Sequence, residues 1–171
     1  MDQTVAIESG RPAAWSGRLG KVAVGALPLV VGACSGFLTK DGIQGWYRTI
    51  RRPAWNPPDQ VFGPVWTTLY ATMGVALVRV LDADPDRRVR NVGLGLFALQ
   101  LALNGAWSWV FFVEHELRGA FLVSIALWLA IAATIVAFER TRRGAGALLL
   151  PYLAWVSFAT ALTAEIWRLN R

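Results

Sequence analysis

Apolar residues along this chain do not alternate with polar ones; they run together. Five stretches carry no Asp, Glu, Lys, Arg or His: Val22–Thr39, Gln60–Val78, Asn91–Val113, Gly119–Phe138 and Gly144–Ala164. They are 18, 19, 23, 20 and 21 residues long. A helix needs about 20 residues to cross a hydrocarbon layer of about 30 Å. Lipid offers the backbone no hydrogen bonds, so each crossing must be helical. The pattern predicts an all-α integral membrane protein built as a five-transmembrane-helix bundle. A polar tail, 1–21, precedes a membrane domain, 22–167, and a short tail follows at 168–171. The spans fall near 22–39, 60–80, 91–113, 118–138 and 144–166.

Composition supports this against a soluble domain with long buried helices. Hydrophobic residues make up 55% and charged residues 16%, where a soluble domain carries about 25% charged. The 17 Lys and Arg against 11 Asp and Glu sit mostly at span ends, where basic side chains snorkel and meet lipid head groups. No RNA- or DNA-binding motif is present, so membrane lipid is the expected partner of the charge and nucleic acid is not.

Five spans place the two ends on opposite sides. Arg11, Arg18, Lys21, Arg79, Arg87, Arg88, Arg90, Arg140, Arg142 and Arg143 share one side, ten in all. Lys40, Arg48, Arg51, Arg52, Arg118, Arg168 and Arg171 make seven on the other. The excess favours a cytoplasmic N-terminus. A rival reading takes Arg18, Lys21 and the apolar run ending VVGAC at Cys34 as a cleaved lipoprotein signal. Against it, the uncharged run continues through Gly36, Phe37 and Leu38. A small thiol within a helix is the plainer account of Cys34.

Polar and aromatic residues recur at helical spacing inside the spans. Gln100, Asn104 and Trp107 stand at i, i+4 and i+7, on one face. Amides in a membrane helix need partners, so this face points either into a cavity or against a neighbouring helix as glue. Trp66, Tyr70 and Met73 repeat the spacing, with Thr67 beside them. Trp155, Ala159 and Leu162 do so again, with a small residue between larger ones. Three such stripes in one small bundle argue for a shared aromatic cavity. Gly32 and Gly36 form GxxxG, and Ala98, Ala102 and Ala106 form a small-residue ladder; both patterns allow close helix approach. The Ala ladder lies across its helix from part of the Gln100–Asn104 stripe, so it faces either a second subunit or another helix of the same chain.

No catalytic constellation appears. The sole histidine, His115, lies in an EHE turn and reads as a solvated loop residue without metal-ligand spacing. GxSxG, Walker and GxGxxG patterns are missing. Asp82, Asp84 and Asp86 alternate in DADPDRR, where Pro85 and nearby arginines argue for a turn rather than a calcium loop. Glu165 and Arg168 form an i,i+3 pair. No metal site and no cofactor are expected.

One segment is unlike the rest. RRPAWNPPDQVFGPVW, Arg51 to Trp66, packs four prolines and two tryptophans into sixteen residues at the mouth of the second span. With its flanks it reads GWYRTIRRPAWNPPDQVFGPVWTTLYATMG, and it is followed by QLALNGAWSWVFF and PYLAWVSFATAL. In order and spacing these resemble the translocator protein family, also called tryptophan-rich sensory proteins or peripheral-type benzodiazepine receptors. The likeness runs from about Gly25 to Asn170. It implies a compact five-helix bundle, commonly a homodimer, in a bacterial cell membrane. It also implies binding of porphyrins (protoporphyrin or haem), sterols and other flat hydrophobic ligands. The first loop would be a stiff lid, proline lowering the entropy lost on ordering it.

Carried residue by residue, the family's pocket falls on Trp46 and Trp55 in the loop, with Asn56 near its rim, and on Trp66 in the second span. It continues through Asn104 and Trp107, then Trp155, Ala159 and Leu162; Tyr70 and Gln100 join from the stripes. Ala98 and Ala102 match a dimer seam of bacterial members, with Ala106 extending it. Three departures stand out: Thr163 where Asn is frequent, Ala164 in the tyrosine position of a sterol pattern, and Ser108–Trp109 where proline is frequent.

The expected function is a membrane binding protein for tetrapyrroles, acting as sensor, regulator or carrier. Asn104 is the expected polar anchor, and Arg51 or Arg52 the partner of ligand carboxylates. One alternative is light- and oxygen-dependent porphyrin breakdown, with tryptophan as redox partner. Another is an accessory membrane protein without its own ligand.

Overall fold

The computed structural model describes residues 17–83 and 86–171. Arg11 and the tail to residue 16, and Asp84 and Pro85 of the DADPDRR turn, lie outside the described residues. Five long helices account for the spans: α1 (Arg18–Gln44), α2 (Asp59–Leu81), α3 (Arg87–Phe112), α4 (Leu117–Thr141) and α5 (Leu150–Leu169). A 3₁₀ turn, Trp46–Arg48, sits in loop 1, the segment 45–58 between α1 and α2, and another, Ala147–Leu149, leads into α5. All five helices are long and apolar enough to cross a membrane. The protein is an integral, multi-pass membrane protein.

Most helices outrun the uncharged stretches that predicted them. α1 takes in Arg18 to Lys21 at one end and Lys40 and Asp41 at the other, and α3 begins at Arg87. Backbone hydrogen bonding does not stop where the hydrocarbon does, and charged side chains at helix ends reach out to water. The fifth span differs in the other direction. It was expected from Gly144, but α5 starts at Leu150. Gly144 has φ +78°, a left-handed conformation that breaks the helix. The Glu139 carboxylate accepts bonds from the amides of Gly144 at 2.9 Å and Gly146 at 3.2 Å, which holds the chain in a loop there.

Packing follows the order α2–α1–α3–α4–α5, and the 3₁₀ turn before α5 leans on α2 to close the ring at that end. Met73, Ile131, Phe138 and Tyr152 form the centre of a core on the closed side. A second cluster, Tyr47, Phe111, Leu117, Leu162 and Ile166, lies under loop 1. The outer faces are apolar: Phe37 is 68% exposed and Leu129 58%. Lipid, not water, is the solvent such a surface fits.

The GxxxG pair divides: Gly32 admits the Tyr70 ring of α2 as its small size allows, and Gly36 does not meet a helix. A Cβ on Gly32 would fall into the ring of Tyr70, and one on Gly36 would meet open space. The closest backbone approach of α1 to α2 lies elsewhere, between Gly25 and Gly74, where a Cβ on Gly74 would run into the Gly25 carbonyl, and α1 meets α3 as closely where Gly42 faces the Phe112 carbonyl. α1 and α2 therefore touch near the start of α1 and leave room towards loop 1.

Candidate functional site

That room is a cavity of about 570 Å³ bounded by α1, α2, α3 and α5. α4 contributes no lining residue. Trp66 and Tyr70 project from one face of α2, their rings stacked 5.4 Å apart. Trp107 comes from α3, stacked on Phe111 at 5.2 Å. From α5, Trp155 meets Phe62 edge-on at 5.9 Å, and Ala159 and Leu162 follow one and two turns on. Trp66 and Tyr70 of α2 thus face the whole Trp155–Ala159–Leu162 stripe of α5 across one space, while Met73, a turn further along α2, is buried in the core instead.

The polar residues of α3 sit deeper. Asn104 is buried and does not line the cavity. Its side-chain oxygen accepts the Tyr70 hydroxyl at 2.6 Å, and its NH₂ donates to the Tyr152 hydroxyl at 3.2 Å. One amide thereby ties α2, α3 and α5 together behind the cavity wall, which is the interhelical role Asn takes in lipid. The member of this group that lines the cavity is Tyr70. Gln100 is also buried, and its side chain has no hydrogen-bond partner among the described residues. The indole N–H groups of Trp107 and Trp155 are likewise without a protein acceptor there.

Loop 1 roofs the cavity. Tyr47, in the first 3₁₀ turn, is buried, lines the cavity and donates its hydroxyl to Asn56 Oδ1 at 2.9 Å. Asn56 Nδ2 donates to the Pro57 carbonyl at 2.8 Å. Arg52 pairs with Asp59 at 3.2 Å and lies 5.0 Å from the Tyr47 ring centroid. Burial pushes the Tyr47 hydroxyl above its usual pKa, opposed in part by Arg52 and Asn56. Trp55 is half-exposed and rests edge-on against Phe158 at 5.8 Å, outside the cavity. Trp46 is also outside: it packs against Phe111 and stacks on His115 at 4.3 Å. His115 is therefore not merely solvated. It adopts φ +57° and ties the α3–α4 turn to loop 1.

Sequence reasoning missed the α1 wall. Gly32, Gly36, Thr39 and Ile43 all line the cavity. Their i+3 and i+4 spacing was visible, but small residues at that spacing signal helix packing just as well. It also missed Asp59, the only charged side chain among the lining residues.

Residues 24–168 match the TspO/MBR family. The chain belongs to that family. It is 42% identical over 144 residues to the tryptophan-rich protein TspO of Chlorobaculum tepidum, covering 84% of this chain and 91% of the relative. It is 38% identical over 159 residues to the translocator protein of Homo sapiens, covering 91% of each. Protein CrtK of Rhodobacter capsulatus is 38% identical over 125 residues, 73% of this chain and 78% of that protein. In this TspO/MBR member Tyr47 of loop 1, Trp66 and Tyr70 of α2, Trp107 of α3 and the α5 stripe line a single cavity.

Ala98, Ala102 and Ala106 lie on the outer face of α3 and are exposed, together with Gly95, Leu99 and Trp109. None of the three alanines touches the cavity. Glu165 and Arg168 pair at 2.6 Å at the end of α5, as their spacing predicts.

Proposed function

We propose that this TspO/MBR protein binds porphyrins or related flat tetrapyrroles within the bundle, as a sensor, regulator or carrier. The observation that carries the reading is the roofed aromatic cavity. Its volume of about 570 Å³ falls in the range of small-molecule sites, roughly 300–1,000 Å³. Trp66, Trp107 and Trp155 supply π-faces for a planar ring. The two unpartnered indole N–H groups favour a ligand that carries hydrogen-bond acceptors. Arg51, whose side chain is in none of the ion pairs among the described residues, is the available cation for a ligand carboxylate, since Arg52 is engaged by Asp59.

The same reading sets the protein in a bacterial cell membrane, which its likeness to the Chlorobaculum tepidum relative supports, with its N-terminus cytoplasmic on the ten-to-seven bias of basic residues. It pairs two copies through the exposed alanine ladder of α3, whose small side chains allow close backbone approach.

The test is a dark titration of the purified protein with protoporphyrin, read by tryptophan fluorescence. Saturable quenching at one site per chain, weakened about tenfold or more in Trp155→Ala, is the expected result, a loss of about 1.4 kcal/mol. Linear quenching that is equal in both proteins would mean simple partition into detergent and would remove the porphyrin assignment.

A further inference from the structure

The cavity has a roof and walls, and its exposed margin lies between two helices. Every lining residue that is exposed belongs to α1 or α2: Ala33, Gly36, Asp59, Gly63 and Thr67. The lining residues of α3 and α5, and Tyr47 of loop 1, are buried or half-buried. α1 and α2 meet at Gly25 and Gly74 and diverge from there, and a Cβ on Gly36 or Gly63 would touch nothing within 4 Å. Gly63 and Thr67 lie about 6 and 12 Å below Asp59 at the helical rise of about 1.5 Å per residue, and Gly36 and Ala33 about 6 and 10 Å below Lys40. The gap thus runs from the head-group level into the hydrocarbon. The α1 surface beside it is Val30, Phe37 and Leu38, all more than half exposed.

Loop 1, by contrast, is tied at several points. Asn170, just past α5, bonds both the N–H and the carbonyl of Arg51, at 2.9 and 2.8 Å. The Arg52–Asp59 and Tyr47–Asn56 contacts join the loop to the start of α2 and to itself.

We propose that ligand enters this cavity sideways from the hydrocarbon layer, through the α1–α2 gap, and that loop 1 is a fixed roof rather than the door. The proposal rests on the cavity being a ligand site. It selects molecules whose flat apolar body dissolves in the bilayer while acidic groups stay near Lys40 at the interface.

The test reads access without a ligand. In a Cys34→Ser background, Ala159→Cys puts a thiol in the cavity of the protein in vesicles. N-pyrenylmaleimide dissolved in the bilayer should label it, and a sulfonated, charged maleimide in the water should not. Adding Gly36→Leu and Gly63→Leu, which meet open space, should slow the apolar reagent about tenfold, as a narrowed entry lowers an association rate. Asn170→Ala, which frees the roof, should leave the rate of the apolar reagent unchanged. Labelling by the charged reagent at the same rate as the apolar one, or labelling accelerated by Asn170→Ala and not slowed by the two leucines, would overturn the proposal. Protoporphyrin loaded into the same vesicles separates route from ligand. An intact labelling pattern with no saturable quenching would support the lateral gap and remove porphyrin.

Discussion

The side chain of Asn170 reads the backbone of Arg51 from both sides, accepting its N–H and donating to its carbonyl, across 119 residues of sequence. A third bond, to the Ile166 carbonyl at 2.8 Å, anchors the same amide to α5. Only a carboxamide offers an acceptor and two donors at once.

Asn170→Ala is therefore expected to free loop 1 while leaving the bundle intact. Two exposed bonds and one part-buried bond, at a net of roughly 0.5–1 kcal/mol each, set the local loss at about 2 kcal/mol. Tryptic cleavage after Arg48 or Arg51 should quicken at least tenfold, with the overall melting temperature nearly unchanged. Asn170→Asp should fall between, since it keeps the acceptor and loses both donors.

Tyr47 makes the roof sensitive to high pH alone. Its hydroxyl is held above the usual 10.0 by burial. Below pH 10 the group is protonated whether the loop is closed or open, so its contribution is fully present. Above that value the freed phenol ionises while the buried one does not, and closure loses stability as pH rises towards the buried group's pKa. Loop proteolysis should be flat from pH 7 to about 9.5 and rise beyond it. Tyr47→Phe should remove the rise.

Two glycines of α1 and α2 should respond oppositely. Gly74→Ala drives a methyl into the Gly25 carbonyl, and is expected to cost about 1–3 kcal/mol in the unfolding of the detergent-solubilised protein. Gly36→Ala meets open space and should be neutral or slightly stabilising, because alanine is the better helix former. Equal melting temperatures for the two variants would count against the α1–α2 crossing.

Asn104 and Tyr70 should separate glue from pocket. Asn104→Ala strips partners from two tyrosine hydroxyls at once, with an expected loss of about 1–2 kcal/mol of stability in lipid or detergent. Tyr70→Phe removes one of the two bonds and should cost less, while its effect on protoporphyrin affinity should be small because the ring remains. A larger loss of stability in Tyr70→Phe than in Asn104→Ala would contradict the shared-amide arrangement.

The alanine ladder is open to a direct check. Ala98→Leu with Ala102→Leu adds bulk to a face that touches neither core nor cavity, so folding and protoporphyrin binding should be kept. The mass in mild detergent should fall from that of two chains to that of one.

Much of the architecture was legible in the residues alone. The number of helices follows from run length and charge, because a bilayer imposes one thickness on every crossing and forbids unpaired backbone inside it. The stripes of Trp66–Tyr70 and Trp155–Ala159–Leu162 could be placed on helix faces without knowing their partners, since 3.6 residues per turn is a local property. The pairing of Glu165 with Arg168 is local for the same reason. What lay beyond the sequence was every relation between helices. Gly32–Gly36 looks the same whether it meets a backbone or an open space, and only the divergence of α1 from α2 makes it a cavity wall. Asn104 could have faced a ligand; the arrival of Tyr70 and Tyr152 from two other helices turned it into a tie behind the wall. The start of α5 at Leu150 rather than Gly144 depended on Glu139 reaching back from α4. Asn170 carried no signal at all, because a lone Asn past a helix gains its meaning from Arg51, which only the folded chain brings within reach.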